Sequence, residues 1–208
     1  MAKLDFIFDF GSPNAYYSYK VLPEILQRTG AELEVHPVLL GGLFKITGNQ
    51  PPMMAFGGVK GKLEYEMLES KRFAEKHQLT DFQFNTHFPV NTVSIMRGLL
   101  AAQELGCEQQ YIDVVLSAMW EKSLKMDDPE VMAAALKEGG LDAEAIMVLI
   151  QTDAIKEKLK ANTQAAAERG AFGIPTFFVG DEMFFGKDRL GQVEERSEER
   201  RVGKECRS

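Results

Sequence analysis

Strand-forming patterns occupy only the two ends of this sequence, and that division limits the folds open to it. Residues 3–10 alternate, with Leu4, Phe6, Phe8 and Phe10 on one face and Asp5, Ile7 and Asp9 on the other. That is the period of a strand with one strongly buried side. Residues 32–38, Glu-Leu-Glu-Val-His-Pro-Val, read as a second strand. Between them, Pro13 to about Arg28 carries a helical stripe of Tyr16, Tyr19, Leu22 and Ile25/Leu26, closed by Gly30. The opening is therefore β-α-β, which predicts parallel pairing through a right-handed crossover. Strand signals return only from Gly173 to Gly186, a predicted hairpin turning at Gly180-Asp181. Lys187 to about Glu195 is predicted as a last helix.

The middle of the chain is different. Leu39 to Thr47 predicts a short helix ending at Gly48-Asn49. Residues 50–60, rich in Pro, Gly and Met, are predicted as a loop, either an adaptable apolar wall or a mobile linker. Helical stripes then follow near 62–77, from a cap at Asn91 or Thr92 to Gly106, and near 108–123. Asp128-Pro129-Glu130 is a helix start, with an N-cap residue before a proline in the first turn. Asp142 caps another helix, and Thr152 or Asp153 one that runs to Arg169-Gly170. The β-α-β opening and the β-β-α close are the two halves of a thioredoxin-type fold. The predicted class is α/β, a thioredoxin-like fold with a large all-helical insertion. Residues 1–40 plus 170–195 would form the thioredoxin-like domain, and 41–169 the inserted helical domain. Residues 196–208 hold only Val202 and Cys206 as apolar side chains, and they read as a disordered, non-native tail.

The totals exclude several classes. A chain of 208 residues, 45% apolar and 26% charged, can bury a substantial core as one domain with an insertion. A net charge of -7 leaves no basic excess for nucleic acid or for an anionic membrane surface. No apolar run reaches the roughly 18 residues of a spanning helix. Asp5 and Asp9 interrupt the first apolar stretch, and no small-residue cleavage pattern follows, so a cytoplasmic location is expected. The two cysteines, Cys107 and Cys206, form no C-x-x-C pair, and Cys206 falls in the tail and is expected to carry no function. His36, His77 and His87 lack metal-ligand spacing, so no metal is predicted and a surface or structural role is expected for each.

Chemistry is expected at the first helix start. Gly11 ends the strand, Ser12 stands at the N-cap, and Pro13 takes the first helical position. Ser12 reads either as a plain cap or as a functional hydroxyl at the positive end of a helix. Disulfide oxidoreductases of this fold place Cys-x-x-Cys there. Here the four positions are Ser12-Pro13-Asn14-Ala15, so dithiol chemistry is impossible and any thiol must arrive with a ligand. Ile174-Pro175 reads either as a cis peptide that would present the N–H and C=O of Ile174 to an extended ligand, or as an edge-strand proline. Phe185-Gly186-Lys187-Asp188-Arg189 makes a strand-to-helix turn. Its backbone N–H groups suit a carboxylate, and Asp188 suits either an ammonium group or helix capping. A thiol at Ser12, a peptide at Ile174 and an amino-acid head at residues 186–188 together match glutathione.

These residues carry a resemblance. Phe8-Asp9-Phe10-Gly11-Ser12-Pro13, Phe44-Lys45-Ile46-Thr47-Gly48-Asn49, Phe88-Pro89-Val90-Asn91-Thr92, Phe172-Gly173-Ile174-Pro175-Thr176-Phe177 and the run from Gly180 to Leu190 occur in order. In them the chain resembles the 2-hydroxychromene-2-carboxylate isomerases and the kappa-class glutathione transferases of the DsbA-like superfamily. The resemblance implies a glutathione-dependent cis–trans isomerisation of an intermediate of aromatic catabolism, with a homodimer as the family expectation. Ser12 would be the catalytic residue that holds the thiol. Ile174, Pro175, Phe185, Gly186, Lys187 and Asp188 would bind glutathione. Lys45 would meet the substrate's carboxylate, with Asn49 and Asn91 in the same pocket. A kappa-like transferase or peroxidase, and a non-catalytic thiol-ligand or peptide-binding module, remain open beside the isomerase.

Overall fold

The computed structural model describes residues 2–205, with side chains through residue 200. Strand β1 (Lys3–Phe8) leads into α1 (Pro13–Thr29) and β2 (Glu32–Pro37). Eight helices follow: α2 (Leu40–Thr47), α3 (Pro52–Phe56), α4 (Lys62–Lys76), α5 (Val93–Leu105), α6 (Glu108–Trp120), α7 (Pro129–Glu138), α8 (Ala143–Leu149) and α9 (Asp153–Glu168). The chain closes with β3 (Thr176–Val179), β4 (Glu182–Phe185), a 3-10 turn over Lys187–Arg189 and α10 (Leu190–Glu205). The sheet order is β2-β1-β3-β4, with β1 parallel to β2 and antiparallel to β3. This is a thioredoxin-like fold with helices α2–α9 inserted between β2 and β3.

Central placement explains the composition of β1. Leu4, Phe6 and Phe8 are buried on one face, and Ile7 is buried on the other. A strand flanked by two neighbours and covered on both faces reads as near-continuous apolar sequence. Phe6 stacks on Phe177 of β3 at 4.7 Å between ring centres, and Phe8 meets Phe10 edge-on at 4.8 Å. The core is continuous across the insertion, joining these rings to Leu99, Tyr111, Met119 and Trp120 of α5 and α6.

Three expectations are corrected. Strand β1 ends at Phe8 rather than Phe10, because Asp9 turns the chain: its carbonyl accepts from Ser12 N at 3.2 Å and its Oδ1 from Gly11 N at 2.8 Å. The stretch 50–60 is not all loop, since Pro52–Phe56 forms α3. The last helix runs to Glu205, so the expected disorder does not hold over residues 196–205. Leu190, Val193 and Ser197 make one buried stripe, and Ser197 Oγ donates to the Val193 carbonyl at 2.7 Å. Arg196 pairs with Glu182 at 2.7 Å and with Glu199 at 2.8 Å, so the charged residues decorate a helix face. Cys206 and the end of the expected tail lie outside the described residues.

Candidate active site

Ser12 caps α1. Its backbone is extended (φ -100°, ψ 115°), its Oγ accepts from Ala15 N at 3.2 Å, and Pro13 fills the first helical position. The same hydroxyl donates to the Ile174 carbonyl at 3.0 Å. The cap and functional readings of Ser12 are therefore compatible. The oxygen serves the helix while the proton points across to the loop before β3. Both residues are buried.

The Ile174–Pro175 peptide is cis, as is Phe88–Pro89, which had no such expectation attached. The Ile174 carbonyl, expected to face a ligand, is engaged by Ser12 in this structure. The Pro175 carbonyl accepts from Gly186 N at 2.9 Å, which ties the end of the hairpin to the proline. Gly186 has φ 93°, a conformation that favours glycine. Phe185 packs against Phe172 with ring centres 4.6 Å apart. Lys187 departs from expectation. Its side chain is buried beside Phe73, 5.3 Å from the ring centre, and its ammonium meets the exposed Asp188 carboxylate at 2.9 Å. Asp188 thus holds an ammonium of its own chain. Ser12, Ile174, Pro175, Gly186 and Lys187 come together, with Phe185 and Asp188 on the exposed side.

The second half of the site gathers on Asp9, which sequence reading placed on the outer face of a strand. Asp9 is fully buried. Its Oδ1 accepts from Gly11 N, and its Oδ2 accepts from Leu40 N at 2.7 Å and from Thr92 Oγ1 at 3.1 Å. Burial pushes its carboxyl above the ordinary range, and the three donors pull back. Gly11 permits this approach, because a Cβ there would stand 3.1 Å from Thr92 Cγ2. The expected cap of α5 divides in two: Thr92 spends its hydroxyl on Asp9, and Asn91 Oδ1 accepts from Val93 N at 3.0 Å. Asn49 also differs from a free ligand group, since its Nδ2 donates to the Phe172 carbonyl at 2.7 Å and its Oδ1 accepts from Gln50 N at 2.8 Å. Lys45 lies exposed on α2 between Leu40 and Asn49. The one signal that marked Asp9 in the sequence was a charge inside an otherwise apolar run.

Aromatic side chains close the other flank. Trp120 Nε1 donates to the Phe10 carbonyl at 2.8 Å, and Phe82, Phe84 and Phe88 pack on the indole. Glu121 joins this wall to α1 by accepting from Tyr16 Oη at 3.0 Å and pairing with Lys20 at 2.8 Å. Elsewhere, Asp5, Glu34 and His36 lie close enough to share an ion. However, Asp5 accepts from Arg169 at 2.6 Å and Glu34 pairs with Lys3, so both carboxylates are already compensated. No helix among the described residues is long and apolar enough to cross a membrane.

The model of the DSBA-like thioredoxin domain matches residues 3–198. A 2-hydroxychromene-2-carboxylate isomerase of Pseudomonas sp. (strain C18) is 31% identical over 193 residues, covering 92% of this chain and 88% of its own length. Glutathione S-transferase kappa 1 of Rattus norvegicus is also 31% identical, over 204 residues, covering 90% and 87%. A solved 2-hydroxychromene-2-carboxylate isomerase superposes with a TM-score of 0.81 at 28% identity, covering 99% of this chain and 96% of that one. The chain belongs to the DSBA-like thioredoxin domain family, within which its relatives are 2-hydroxychromene-2-carboxylate isomerases and kappa-class glutathione transferases.

Proposed function

We propose that the protein is a glutathione-dependent cis–trans isomerase acting on 2-hydroxychromene-2-carboxylate or a similar aromatic carboxylate. The observation that carries this reading is the Ser12 hydroxyl, held at the start of α1 against the Ile174 carbonyl, with Ala15 where a disulfide oxidoreductase has its second cysteine. When bound, glutathione supplies a thiolate that adds reversibly to a double bond conjugated with a carbonyl, so that the bond rotates while single.

The residues of this chain would hold that thiolate and orient the two molecules. Ser12 has no histidine beside it in sequence to act as a base, so its task is to donate a hydrogen bond. Lowering a thiol pKa by two units takes about 2.7 kcal/mol. A helix terminus supplies about 0.3–1 kcal/mol, and a hydrogen bond to a charged group about 1.5–3 kcal/mol. The dipole alone is too small, so the hydroxyl is needed. Turning the Ser12 proton from the neutral Ile174 carbonyl to a thiolate exchanges an ordinary hydrogen bond for a charge-assisted one. That exchange leaves the Ile174 carbonyl available to a peptide ligand. The Gly186 turn and Asp188 would hold the amino-acid head, and Lys45 would meet the substrate's carboxylate and the negative charge that develops nearby.

An absorbance assay on 2-hydroxychromene-2-carboxylate, with and without glutathione, tests this reading. Turnover that requires glutathione is expected. A kappa-like transferase is the second reading, supported by the equal identity to the rat enzyme. It predicts glutathione binding and conjugation without isomerisation. A protein that binds glutathione with no thiolate absorbance would be a binding module instead.

A further inference from the structure

Helix α2 is tied at both ends to the two loops that meet at Ser12. Its first N–H, of Leu40, donates to Asp9, three residues before Ser12. Just beyond its last turn, Asn49 donates to the Phe172 carbonyl, two residues before Ile174. Ser12 and Ile174 are joined by their own hydrogen bond. The contacts therefore close a ring from Asp9 to Ser12, Ile174, Phe172, Asn49 and back along α2 to Leu40. Lys45 lies on α2 between the two ties. Within α2, Leu43 is the single buried residue; the helix also packs on α9, where Thr163 Oγ1 accepts from Leu39 N at 3.0 Å, so the two ties fix the ends of a helix already seated on the core.

We propose that Asp9 and Asn49 are positioning residues that hold α2 so that Lys45 meets the carboxylate of the substrate, acting on substrate recognition and not on glutathione. This rests on the isomerase reading above. The chemistry of Asp9 singles it out. A buried carboxylate with no cationic partner is costly, and an apolar residue would avoid that cost only by leaving three donors without an acceptor. What it offers is two acceptor oxygens for two N–H groups and one O–H. An asparagine has one acceptor oxygen, and its NH2 group would oppose the Leu40 N–H. Asp9 makes none of the contacts expected of glutathione at Ile174 and residues 185–188. Loss of its grip on Leu40 frees the start of α2, whereas Ser12 keeps its own hold on Ile174 and Ala15.

The test uses Asp9→Asn, Asn49→Ala and Lys45→Met, singly and in pairs with Lys45→Met. Three quantities are measured: the glutathione Kd by titration calorimetry, kcat and KM for 2-hydroxychromene-2-carboxylate at saturating glutathione, and hydrogen exchange of the α2 amides. Asp9→Asn and Asn49→Ala are each expected to raise KM about tenfold, the equivalent of about 1.4 kcal/mol. Both should leave the glutathione Kd within about threefold, and any fall in kcat follows the loss of Lys45 from the developing charge. In the Lys45→Met background each should raise KM by less than about twofold, because the lysine they position is gone. Multiplicative KM effects, or a glutathione Kd that shifts as far as KM, would overturn the proposal. If Asp9→Asn does not fold, Asn49→Ala, at an exposed position, decides alone on the same criteria. Should the wild type bind no glutathione, the isomerase reading falls. Exchange across Leu40–Thr47 then decides the positioning claim: acceleration of about tenfold in both variants supports it, and unchanged exchange sinks it.

Discussion

The corner around Ser12 and the segment from α3 to α4 are built on opposite terms. At the corner, Phe8, Asp9, Phe10 and Ser12 are all buried. Each polar group there has a named partner: Asp9 on three donors, Ser12 on Ile174 and Ala15, and the Phe10 carbonyl on Trp120. By contrast, α3 and α4 hold no buried residue. Met53, Met54 and Met67 are 62%, 72% and 73% exposed despite their apolar character. The difference is one of closure. The corner is held by bonds from elements far apart in sequence, so removing one group leaves a buried partner unsatisfied. Most α3–α4 side chains face solvent, Phe73 on Tyr17 and Lys187 being the exception, so removing an exposed one leaves nothing behind.

The largest effect that would break this contrast is expected at Trp120. Trp120→Ala removes a fully buried indole and leaves the Phe10 carbonyl without its donor. Large-to-small aromatic substitutions in cores cost about 3–5 kcal/mol. Urea unfolding followed by circular dichroism should show that loss; Trp120 is the only tryptophan, so fluorescence cannot follow it. A change below 1 kcal/mol would mean that the corner is not held as described.

Next comes Ser12→Ala, an effect on chemistry. Turnover should fall by about 10- to 150-fold, the equivalent of the 1.5–3 kcal/mol of a hydrogen bond to a charged group. Glutathione affinity should stay within about tenfold. Unchanged turnover would reduce Ser12 to its capping role.

How much of this was legible in the sequence follows the same division. Ser12, Pro13, Gly30, Asp128 and Asp142 announce helix ends because their partners lie within a few residues. The sheet and its helical insertion followed from period and punctuation. Asp9 and Thr92 gave no such sign, because their partners lie 31 and 83 residues apart in the chain. An acid inside an apolar strand reads as its solvent face until the fold supplies donors. Lys187 is the same case in reverse, a lysine expected at a ligand-binding turn whose side chain Phe73 covers. The helix over residues 196–205 was missed because its buried stripe ends in Ser197, which no hydrophobic pattern counts. In α4 the sequence overstates burial for the opposite reason: of the stripe Leu63, Met67 and Phe73, Phe73 packs on Tyr17 but Met67 has most of its surface in water.

A smaller effect sharpens the contrast through pH. Burial opposes the charge on Glu121, but Lys20, Ser117 and Tyr16 outweigh it and hold its carboxyl below the usual range. A carboxyl lowered on folding stabilises the protein above its unfolded pKa, near 4.5, and that share is lost as pH falls through the lower folded value. Glu121→Gln should therefore cost up to about 1 kcal/mol near neutral pH, the scale of a partly exposed ion pair. The difference from wild type should close as pH falls well below 4.5. Urea midpoints that differ equally at both ends of that range would rule out the ion pair as the cause.

The smallest effect is expected at Met67→Ala. The same substitution at Met96 or Met119, both fully buried, should cost about 2–5 kcal/mol through lost burial and a residual cavity. At Met67, with most of its surface in water, there is little burial to lose and no cavity to form. Ala and Met also differ little in helix propensity, so α4 itself has no reason to weaken. The expected change is within about 0.5 kcal/mol. A loss above 1 kcal/mol at Met67 would mean that this face is covered in solution, and the contrast between the two regions would then fail on the α4 side.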